Sequence, residues 1–397
     1  MSAPLYKENQ MPSSPGADGH RGLWFDRFFN QYDHTTWSVP QDGKKDWIKT
    51  VAGTCGDGEL LQAACRGQES LCGLLGGKVE QVKTAWHFAT GLGNPHPVEN
   101  GFAWHPTLGV PFMSGAAVKG LVRAWVECWM AFGGSSEAER NNNRLTTLYR
   151  WFGSEDIDPR MRNDLREFGF TPPGGNDTDT EAGIFIFFDA IPVAPVKLAC
   201  DIMTPHYGNW YAQGGEITSV ATQPDIVPAD WHSPVPVPFL VVKEGSYMFS
   251  IAPRRSPRTV EERSSLMAEL EQVMLALTSA LQYIGAGAKT AAGYGRMEVD
   301  EAARGRRELA AIRERRRGLD PVAQLREEIM EYKEERLATM FGRDFNKTHV
   351  AKKDNWDIFV QIVKEIHAAT IASWENAQEK NKIKAYKRLT DPPDSQS

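Results

Sequence analysis

A short segment near residue 290 combines glycines with positive charge, a combination suited to binding phosphate. It spans residues 284–297 and reads I-G-A-G-A-K-T-A-A-G-Y-G-R-M. Glycine adopts positive φ and allows close approach to its backbone, and successive exposed N–H groups form an anion-binding concavity. The residues expected to contact phosphate or RNA are Gly285, Gly287, Lys289, Gly293, Tyr294, Gly295 and Arg296. We therefore expect this glycine segment to bind phosphate.

The secondary-structure elements on either side of the segment indicate whether it binds a nucleotide or a nucleic-acid backbone. A nucleotide-binding P-loop has glycine directly before its lysine, whereas Ala288 precedes Lys289 here. A P-loop also follows a strand and begins a helix, whose N-terminus meets the phosphates. Apolar periodicity predicts the reverse order here, a helix before the segment and a strand after it. The pattern argues against an NTPase and favours the RNA backbone, which cations and N–H groups bind without reading its sequence.

Two other groups of residues are candidates for contact with RNA. Ser114 is predicted as the N-cap of a helix, on which Lys119 and Arg123 project together because they lie four residues apart. A solvated helix face is the alternative for this pair. Aromatic side chains stack on unpaired bases, at about 1–3 kcal/mol per base, and packing within their own loop is the alternative. The aromatic candidates are His206, Tyr207, Trp210 and Tyr211.

The order of the periodic segments predicts the fold. Alternating apolar residues predict a strand within residues 79–88, and a helix follows Ser114. A second helix is expected from Thr259, where Glu262 completes a capping box. Further strands are predicted at 184–188, 239–242, 247–251 and 297–299. The order strand, helix, strands, helix, strand predicts an α+β, ferredoxin-like (βαββαβ) domain, an arrangement that RNA-recognition modules share.

Composition shifts along the chain predict its domains. Residues 1–20 are expected to be a flexible leader, 21–301 a ferredoxin-like domain, and 302–397 a helical C-terminal extension that ends in a disordered tail. Insertions in the domain are predicted at about 51–77, 133–181 and 194–236, the second of them polar and irregular. In the extension, residues 304–317 carry seven arginines and two glutamates. RNA or a partner protein is expected at these arginines or at an apolar stripe that begins at Trp356; packing within the extension is the alternative.

Composition also narrows the class of protein. The 397 residues carry a net charge of −6, and the first 300 carry 25 basic and 34 acidic side chains, so any RNA contact must be local. Five cysteines without C-x-x-C spacing predict neither a disulfide framework nor a zinc ribbon. A metal site at Cys55, Cys65 and Cys72 is the alternative. With no secretion signal or membrane span predicted, we expect a cytoplasmic protein without membrane contact or cofactor.

Several ordered motifs between about residues 22 and 299 resemble a known family. They are G-L-G-N-P-H-P-V-E-N-G-F-A-W-H-P-T-L-G-V-P from Gly91, S-G-A-A-V-K-G-L-V-R from Ser114, W-F-G-S-E from Trp151, D-I-M-T-P-H-Y from Asp201, P-A-D-W-H from Pro228, and the glycine segment. Together they resemble the RAMP superfamily of CRISPR proteins, and within it the sixth subunits of type III-B (Cmr) effector complexes.

The resemblance implies a structural role at one end of a helical backbone of RAMP subunits, in antiviral defence. The implied partners are the 3′ part of the guide RNA, the target RNA, other RAMP subunits and small helical subunits. Ser114, Lys119 and Arg123 match the family's guide-binding helix, and the glycine segment matches its glycine-rich loop. Residues 201–231 match the position of a thumb-like projection. The C-terminal extension departs from the family pattern.

Three functions are compatible with these residues. The first is a non-catalytic RNA-binding subunit, since the family resemblance assigns target cleavage to a neighbouring subunit. The second is a metal-independent endoribonuclease that processes guide RNA, with His105 or His206 as general base and Lys119 as stabiliser of phosphate charge. The third is a metal nuclease, in which Asp156 and Asp158, close together in sequence, would supply the paired carboxylates that hold the metal. We expect the first.

Overall fold

Helices and strands are described for residues 14–16, 19–33, 35–153, 182–229, 231–317, 320–342 and 356–390 in the computed structural model. The chain divides into two units, Met1–Glu301 and Ala302–Ser397. The helices of the first unit are α1 (Arg21–Arg27), α2 (Gln41–Val51), α3 (Gly58–Leu74), α4 (Gly115–Cys128), α5 (Glu137–Phe152), α6 (Gly208–Gln213) and α7 (Val260–Tyr283). Its strands are β1 (Gly53–Cys55), β2 (Lys78–Thr84), β3 (Phe185–Phe187), β4 (Ile191–Pro192), β5 (Val196–Met203), β6 (Val237–Glu244), β7 (Ser246–Pro253) and β8 (Met297–Val299).

An antiparallel five-stranded sheet forms the centre of the first unit, and the mixture of helix and sheet confirms the predicted α+β class. The sheet runs in the order β3-β7-β2-β8, and β4 also pairs with β7. β2 and β7 pair along residues 78–83 and 246–251. Because successive side chains of a strand face opposite ways, Phe249 joins the main core, while Met248 packs with Cys65 of α3 in a separate cluster.

The two long helices α4 and α7 pack against each other, and α7 also lies against β2, β7 and β8. Both begin where the local sequence predicts. Ser114 Oγ accepts a hydrogen bond from the Ala117 N–H at 3.3 Å, and Thr259 Oγ1 accepts one from the Glu262 N–H at 3.1 Å. These N-caps satisfy N–H groups that have no partner inside the helix, which confirms the two predicted helix starts.

A second antiparallel sheet, in the order β1-β5-β6, carries a projection that we call the arm, residues 196–244. The arm consists of β5, β6 and their connection, which contains α6 and a 3₁₀ turn at Gly214–Glu216. The strands predicted on either side of Gly245 are confirmed, but they lie in different sheets. β6 pairs with β5 from Met203 opposite Val237 to Lys197 opposite Glu244, whereas β7 enters the central sheet.

The expectation of irregular structure at residues 133–181 is wrong for the first part of that range. Residues 137–152 form α5, which Ser136 caps by accepting a hydrogen bond from the Glu139 N–H. Leu145, Leu148 and Trp151 lie on one side of α5 and are buried in the core. Burial of this stripe outweighs the low helix propensity of the asparagines at 141–143. The remainder of the predicted insertion, 154–181, lies outside the described residues.

The second unit is helical throughout the residues described in it. Its helices are α8 (Glu301–Arg317), which begins at the last residue of the first unit, α9 (Pro321–Met330), α10 (Glu334–Phe341), α11 (Trp356–Ile366), α12 (Ala368–Ser373) and α13 (Lys380–Thr390). Phe359, Ile362 and Val363 are buried in a core around Trp374. These described residues of the apolar stripe therefore pack inside their own unit, as the alternative interpretation predicts, and docking of a partner there stays a prediction. Across both units, the described helices include none with the length and apolarity to cross a membrane.

Candidate nucleic-acid interface

The glycine segment is bonded to the loop that follows β2. The Ala288 N–H donates to the Ala89 carbonyl at 2.7 Å, and the Gly295 N–H donates to the His87 carbonyl at 2.7 Å. The Gly285 N–H donates to the Ala280 carbonyl at 2.9 Å, closing the last turn of α7. These N–H groups are therefore used inside the chain. The expected concavity of free N–H groups is not formed at these positions, so phosphate binding there depends on side chains.

The glycines are needed for close approach between backbone groups. A Cβ on Gly287 would lie 2.1 Å from the Ala89 oxygen, and a Cβ on Gly295 would lie 1.8 Å from the Ala286 oxygen. Both glycines have positive φ, at +79° and +74°. Gly293 also has positive φ, at +88°, but a Cβ there would meet no atom within 4 Å. Gly287 and Gly295 thus lock the segment against its neighbours, and Gly293 only turns the chain.

Lys289 is a half-buried cation that the fold holds in place. It adopts the left-handed conformation with φ +61°, which is strained for a residue with a Cβ. Its Nζ lies 3.4 Å from Met203 Sδ and 5.4 Å from the centre of the Phe239 ring. An ammonium group over an aromatic face is attracted by the ring electrons. Lys289 makes no ion pair with any carboxylate in the described part of the chain, so its charge is available to an anion.

A hydrogen-bonded network lies beside Lys289. Tyr294 Oη donates to Asp201 Oδ2 at 2.7 Å, and His87 Nδ1 lies 3.0 Å from the same oxygen. Trp86 stacks on His87, with ring centres 4.8 Å apart and planes 17° apart, and it is 55% exposed. The network thus fixes the orientation of His87, and His87 supports an exposed aromatic surface at Trp86.

The network perturbs two acid–base groups. Partial burial alone raises the pKa of Asp201, but the hydrogen bonds from Tyr294, the Ile202 N–H and His87 outweigh burial, so this pKa lies below its ordinary value. Burial and the Asp201 carboxylate raise the pKa of Tyr294 to about 12. Tyr294 therefore remains a hydroxyl donor and Asp201 a charged acceptor at neutral pH.

The structure joins residues that sequence reasoning did not join. Tyr294 was expected to contact RNA directly, but its hydroxyl donates to Asp201. Trp86, His87 and Asp201 were not predicted as site residues, because His87 and Asp201 are 114 positions apart. The usable signal was the aromatic Trp86-His87 pair directly after β2. Arg296 is exposed beside this group, and its carbonyl accepts a hydrogen bond from the Ala85 N–H at 2.9 Å.

The α4 candidates are separate from the glycine segment. At the start of α4, Asp189 Oδ1 accepts from the Gly115 N–H at 2.7 Å, so a carboxylate already lies beside the Ser114 cap. Arg123 Nε donates to Glu127 Oε1 at 2.8 Å, which engages its charge within the helix. Lys119 lines a cavity of about 180 Å³ together with Arg254, the residue that follows the last residue of β7.

The two groups of candidates lie at opposite ends of β7. The backbone of Arg296 bonds to Ala85, and the adjacent Thr84 N–H bonds to the carbonyl of Gly245, the residue before β7. Lys119 shares its cavity with Arg254, the residue after β7. An eight-residue strand such as β7 spans about 25 Å. Lys119 and the glycine segment therefore lie about one strand length apart.

His206 and Tyr207 lie in the arm, three and four residues after β5. They line a cavity of about 340 Å³ with Trp210 and His232, and their own rings are 6.2 Å apart and tilted. Elsewhere in the arm connection, Tyr211 is 78% exposed and Trp231 is 68% exposed. Met203, at the end of β5, contacts Lys289, so the arm connection begins beside the glycine segment.

Among the described residues, the histidine and cysteine side chains proposed for catalysis or metal binding form no metal-binding group. His105 Nδ1 accepts from the Thr107 and Leu108 N–H groups at 3.3 and 3.2 Å, and burial lowers its pKa. Burial raises the pKa of Cys55 to about 12 and of Cys72 to about 11, and the two thiols donate to different backbone carbonyls. Among the described residues, no three His, Cys, Asp or Glu side chains are grouped to hold a metal. Asp156 and Asp158 lie outside those residues.

Comparisons with known proteins agree with this division of the chain. Residues 81–298 match the RAMP superfamily. Over 252 residues the chain is 27% identical to the CRISPR system Cmr subunit Cmr6 of Pyrococcus furiosus, covering 55% of this chain and 66% of that protein. The chain thus spans just under two thirds of that relative's length. The family match extends from β2 to β8 and stops before the helical unit.

Two solved structures are similar to parts of the chain. A cryo-EM structure of the Type III-B Cmr-beta bound to cognate target RNA includes a chain 17% identical to this one, with a TM-score of 0.38, covering 64% of this chain and 70% of that chain. The crystal structure of Cmr6 from Pyrococcus furiosus is 25% identical, with a TM-score of 0.29, covering 56% of this chain and 97% of that chain.

Proposed function

The chain belongs to the RAMP superfamily, and we propose that it is a non-catalytic, RNA-binding structural subunit of a type III-B CRISPR effector complex. In this role it holds the 3′ part of the guide RNA and caps the backbone of RAMP subunits in antiviral defence. Its partners are the guide RNA, the target RNA, other RAMP subunits and small helical subunits. The sequence similarity to the Cmr subunit Cmr6 of Pyrococcus furiosus supports this assignment.

One observation carries the RNA-binding part of the proposal. Lys289 and Arg296 present positive charge without a carboxylate partner among the described residues, and Trp86 lies on the adjoining loop with 55% of its surface exposed. Cations that bind phosphate, next to an aromatic ring that stacks on a base, are the two components of single-strand binding. Contacts with Met203 and Phe239 hold Lys289, and stacking on His87 holds Trp86, before RNA arrives, which reduces the entropy lost on binding.

We assign the ferredoxin-like fold to the central sheet on its connectivity. In chain order, β2, α4, β3, β7, α7 and β8 give strand, helix, strand, strand, helix, strand. Each of these strands pairs antiparallel with its neighbours in the order β3-β7-β2-β8. Split βαβ units interleave in this way. Under this assignment, α3, α5 and the arm are additions to the ferredoxin-like core.

Guide processing by metal-independent cleavage is the second candidate function. The His87–Asp201 contact at 3.0 Å favours it, because a carboxylate orients a histidine that acts as general base. His87 is also stacked against Trp86, which supports its role in holding the aromatic surface. Repeat RNA incubated with the purified chain in chelator separates the two functions. A discrete product that is lost in His87→Ala, His105→Ala or His206→Ala would establish the nuclease.

The proposed function is tested by the RNA that purifies with a tagged chain from cells that make the whole complex. Lys289→Ala with Arg296→Ala removes both cations of the glycine segment. Each hydrogen bond to a charged group contributes about 1.5–3 kcal/mol, so we expect at least about tenfold less guide RNA per complex after a high-salt wash. The subunit composition should stay the same.

The matched control changes the same charge in the helical unit. Lys384→Ala with Lys387→Ala alters two exposed lysines of α13, and we expect it to leave the RNA content unchanged. Equal RNA in all three complexes would overturn the proposal that the glycine segment holds the guide.

A further inference from the structure

A cleft at the end of β7, which we call the arginine cleft, lies outside the site described above. It has a volume of about 970 Å³ and is lined at one side by residues 254–258, which connect β7 to α7. Its other described walls come from the end of α5, the start of β3 and the first turns of α7. The arginines in its wall are Arg150, Arg254, Arg255 and Arg258. Four arginines thus converge on one concave surface of a unit whose overall charge is negative.

Two of these arginines are already engaged. Arg150 Nε donates to both carboxylate oxygens of Glu269, at 3.0 and 2.8 Å, which compensates its charge. Arg254 Nε donates to the Gly183 carbonyl at 2.9 Å, a neutral acceptor, so its position is fixed and its charge is kept. Arg254 also borders the cavity of about 180 Å³ that Lys119 lines.

The other two arginines are exposed, and their guanidinium groups have no carboxylate partner among the residues that the structure describes. Arg255 and Arg258 lie three residues apart in the connection. Glu262 is the acidic residue of the described wall, and it is used locally, since its Oε2 accepts from the Arg258 N–H at 2.7 Å. Even when the Glu262 carboxylate is counted against Arg254, Arg255 and Arg258, the described wall keeps a net positive charge, and this charge attracts a polyanion.

The shape of the groups indicates the class of ligand. Guanidinium groups bind phosphate through paired, parallel hydrogen bonds. The described wall contains no aromatic side chain on which a base could stack. A basic surface without stacking groups binds a nucleic-acid backbone without reading its sequence. We propose that the arginine cleft is a second binding site for the phosphate backbone of single-stranded RNA, separate from the glycine segment.

The proposal rests on the proposed function only in taking RNA as the polyanion. The two sites lie at opposite ends of β7, about 25 Å apart. A stacked strand advances about 3.4 Å per phosphate, so one RNA would need about seven nucleotides to reach from one site to the other. An RNA long enough to reach both sites would bind more tightly than a short one, because the second contact becomes intramolecular.

The test measures binding of a fluorescent 20-nucleotide single-stranded RNA to the full chain as a function of salt. Arg255→Ala with Arg258→Ala removes two phosphate contacts. For a single strand, the slope of log affinity against log salt changes by about 0.7 per contact. We therefore expect a slope shallower by about 1.4, so that between 50 and 200 mM salt the wild type loses about sevenfold more affinity than the variant. Arg255→Lys with Arg258→Lys should keep the wild-type slope.

The inference would be overturned by an unchanged slope in the arginine-to-alanine variant, by an equal effect in the Lys384→Ala, Lys387→Ala control, or by no measurable RNA binding by the wild type. If the same variant instead released a protein subunit from the assembled complex and left RNA affinity unchanged, the cleft would be a protein-binding site and the inference would fall. An unchanged slope in the arginine-to-alanine variant would leave the proposed function intact, because that function depends on Lys289 and Arg296 in the assembled complex.

Discussion

The two ends of β7 present positive charge in different ways. At its start, Lys289 is half-buried against Met203 and Phe239, and glycines with positive φ lock the surrounding backbone. At its end, Arg255 and Arg258 are exposed on a connection, and their guanidinium groups form no ion pair with the described residues. Charge that is held in place favours one ligand geometry, whereas exposed charge adds affinity with little geometric requirement. The start of β7 is therefore suited to positioning a strand, and its end to retaining one.

The largest expected effect is a loss of stability at the start of β7, where the glycines hold the backbone of the segment. Gly295→Ala adds a Cβ that would lie 1.8 Å from the Ala286 oxygen, on a backbone with φ +74°. A left-handed residue costs about 1–2 kcal/mol, and overpacking adds about 1–3 kcal/mol. We expect the free energy of unfolding to fall by about 3 kcal/mol, measured by urea denaturation. Gly293→Ala is the matched control and should cost about 1 kcal/mol, since its Cβ meets no atom within 4 Å. Equal losses would show that backbone strain alone, not close packing, holds the segment.

A smaller loss of stability is expected when the network beside Lys289 is broken. Asp201→Ala leaves the Tyr294 hydroxyl without its acceptor, which should lower the free energy of unfolding by about 2 kcal/mol. Tyr294→Phe in the Asp201→Ala background should then cost almost nothing more, since the two groups act as a pair. Additive losses from the two substitutions would contradict this coupling.

The same carboxylate predicts a pH dependence. The folded pKa of Asp201 lies below the ordinary 3.8, so its stabilising contribution is present above that value and is lost as the pH falls through the folded pKa. Between about pH 4 and pH 2, the wild type should therefore lose more stability than Asp201→Asn, which does not titrate. Parallel curves of unfolding free energy against pH for the two proteins would show that Asp201 does not cause this pH dependence.

A substitution at Trp86 tests RNA binding separately from stability at the start of β7. Trp86→Ala removes an exposed ring, so we expect little change in unfolding, but a loss of about 1–3 kcal/mol in affinity for single-stranded RNA if a base stacks there. The matched control is Trp129→Ala, at an indole that is 67% exposed at the end of α4. Equal affinities for the two variants would remove Trp86 from the interface.

The smallest effect on stability is expected at the end of β7, where Arg255 and Arg258 are exposed. Arg255→Ala with Arg258→Ala should change the free energy of unfolding by less than about 0.5 kcal/mol, because exposed charges that lack a partner contribute little. Urea denaturation of the same proteins used for RNA binding checks this. A loss comparable to that of Gly295→Ala would mean that the connection is structural and that the two ends of β7 do not differ in this way.

Local signals allowed much of the fold to be predicted. Ser114 and Thr259 were recognisable as helix caps because a cap oxygen and the N–H that donates to it lie within four residues. β2, β7 and β8 were recognisable from short apolar patterns. By contrast, α5 was missed because its asparagines hide the spacing of Leu145, Leu148 and Trp151, and only the burial of those residues reveals it.

The site was less predictable because its contacts join distant parts of the chain. The glycines of the segment were found, but their bonds to the His87 and Ala89 carbonyls cannot be read from local spacing, and these bonds use the N–H groups once expected to face phosphate. Arg254, Arg255 and Arg258 are close in sequence, but the fold brings Arg150 to the same cleft from more than 100 residues away. The i,i+4 spacing of Arg123 and Glu127 indicates an ion pair within the helix. This spacing was evidence against the prediction that Arg123 contacts RNA.

The single residue Gly245 between β6 and β7 has a mechanical consequence. A pull on the arm along β6 passes through this one residue into β7, which is bonded to β2 on one side and to β3 and β4 on the other. A displacement of the arm at Gly245 is therefore opposed by three neighbouring strands at once, and the central sheet anchors the arm.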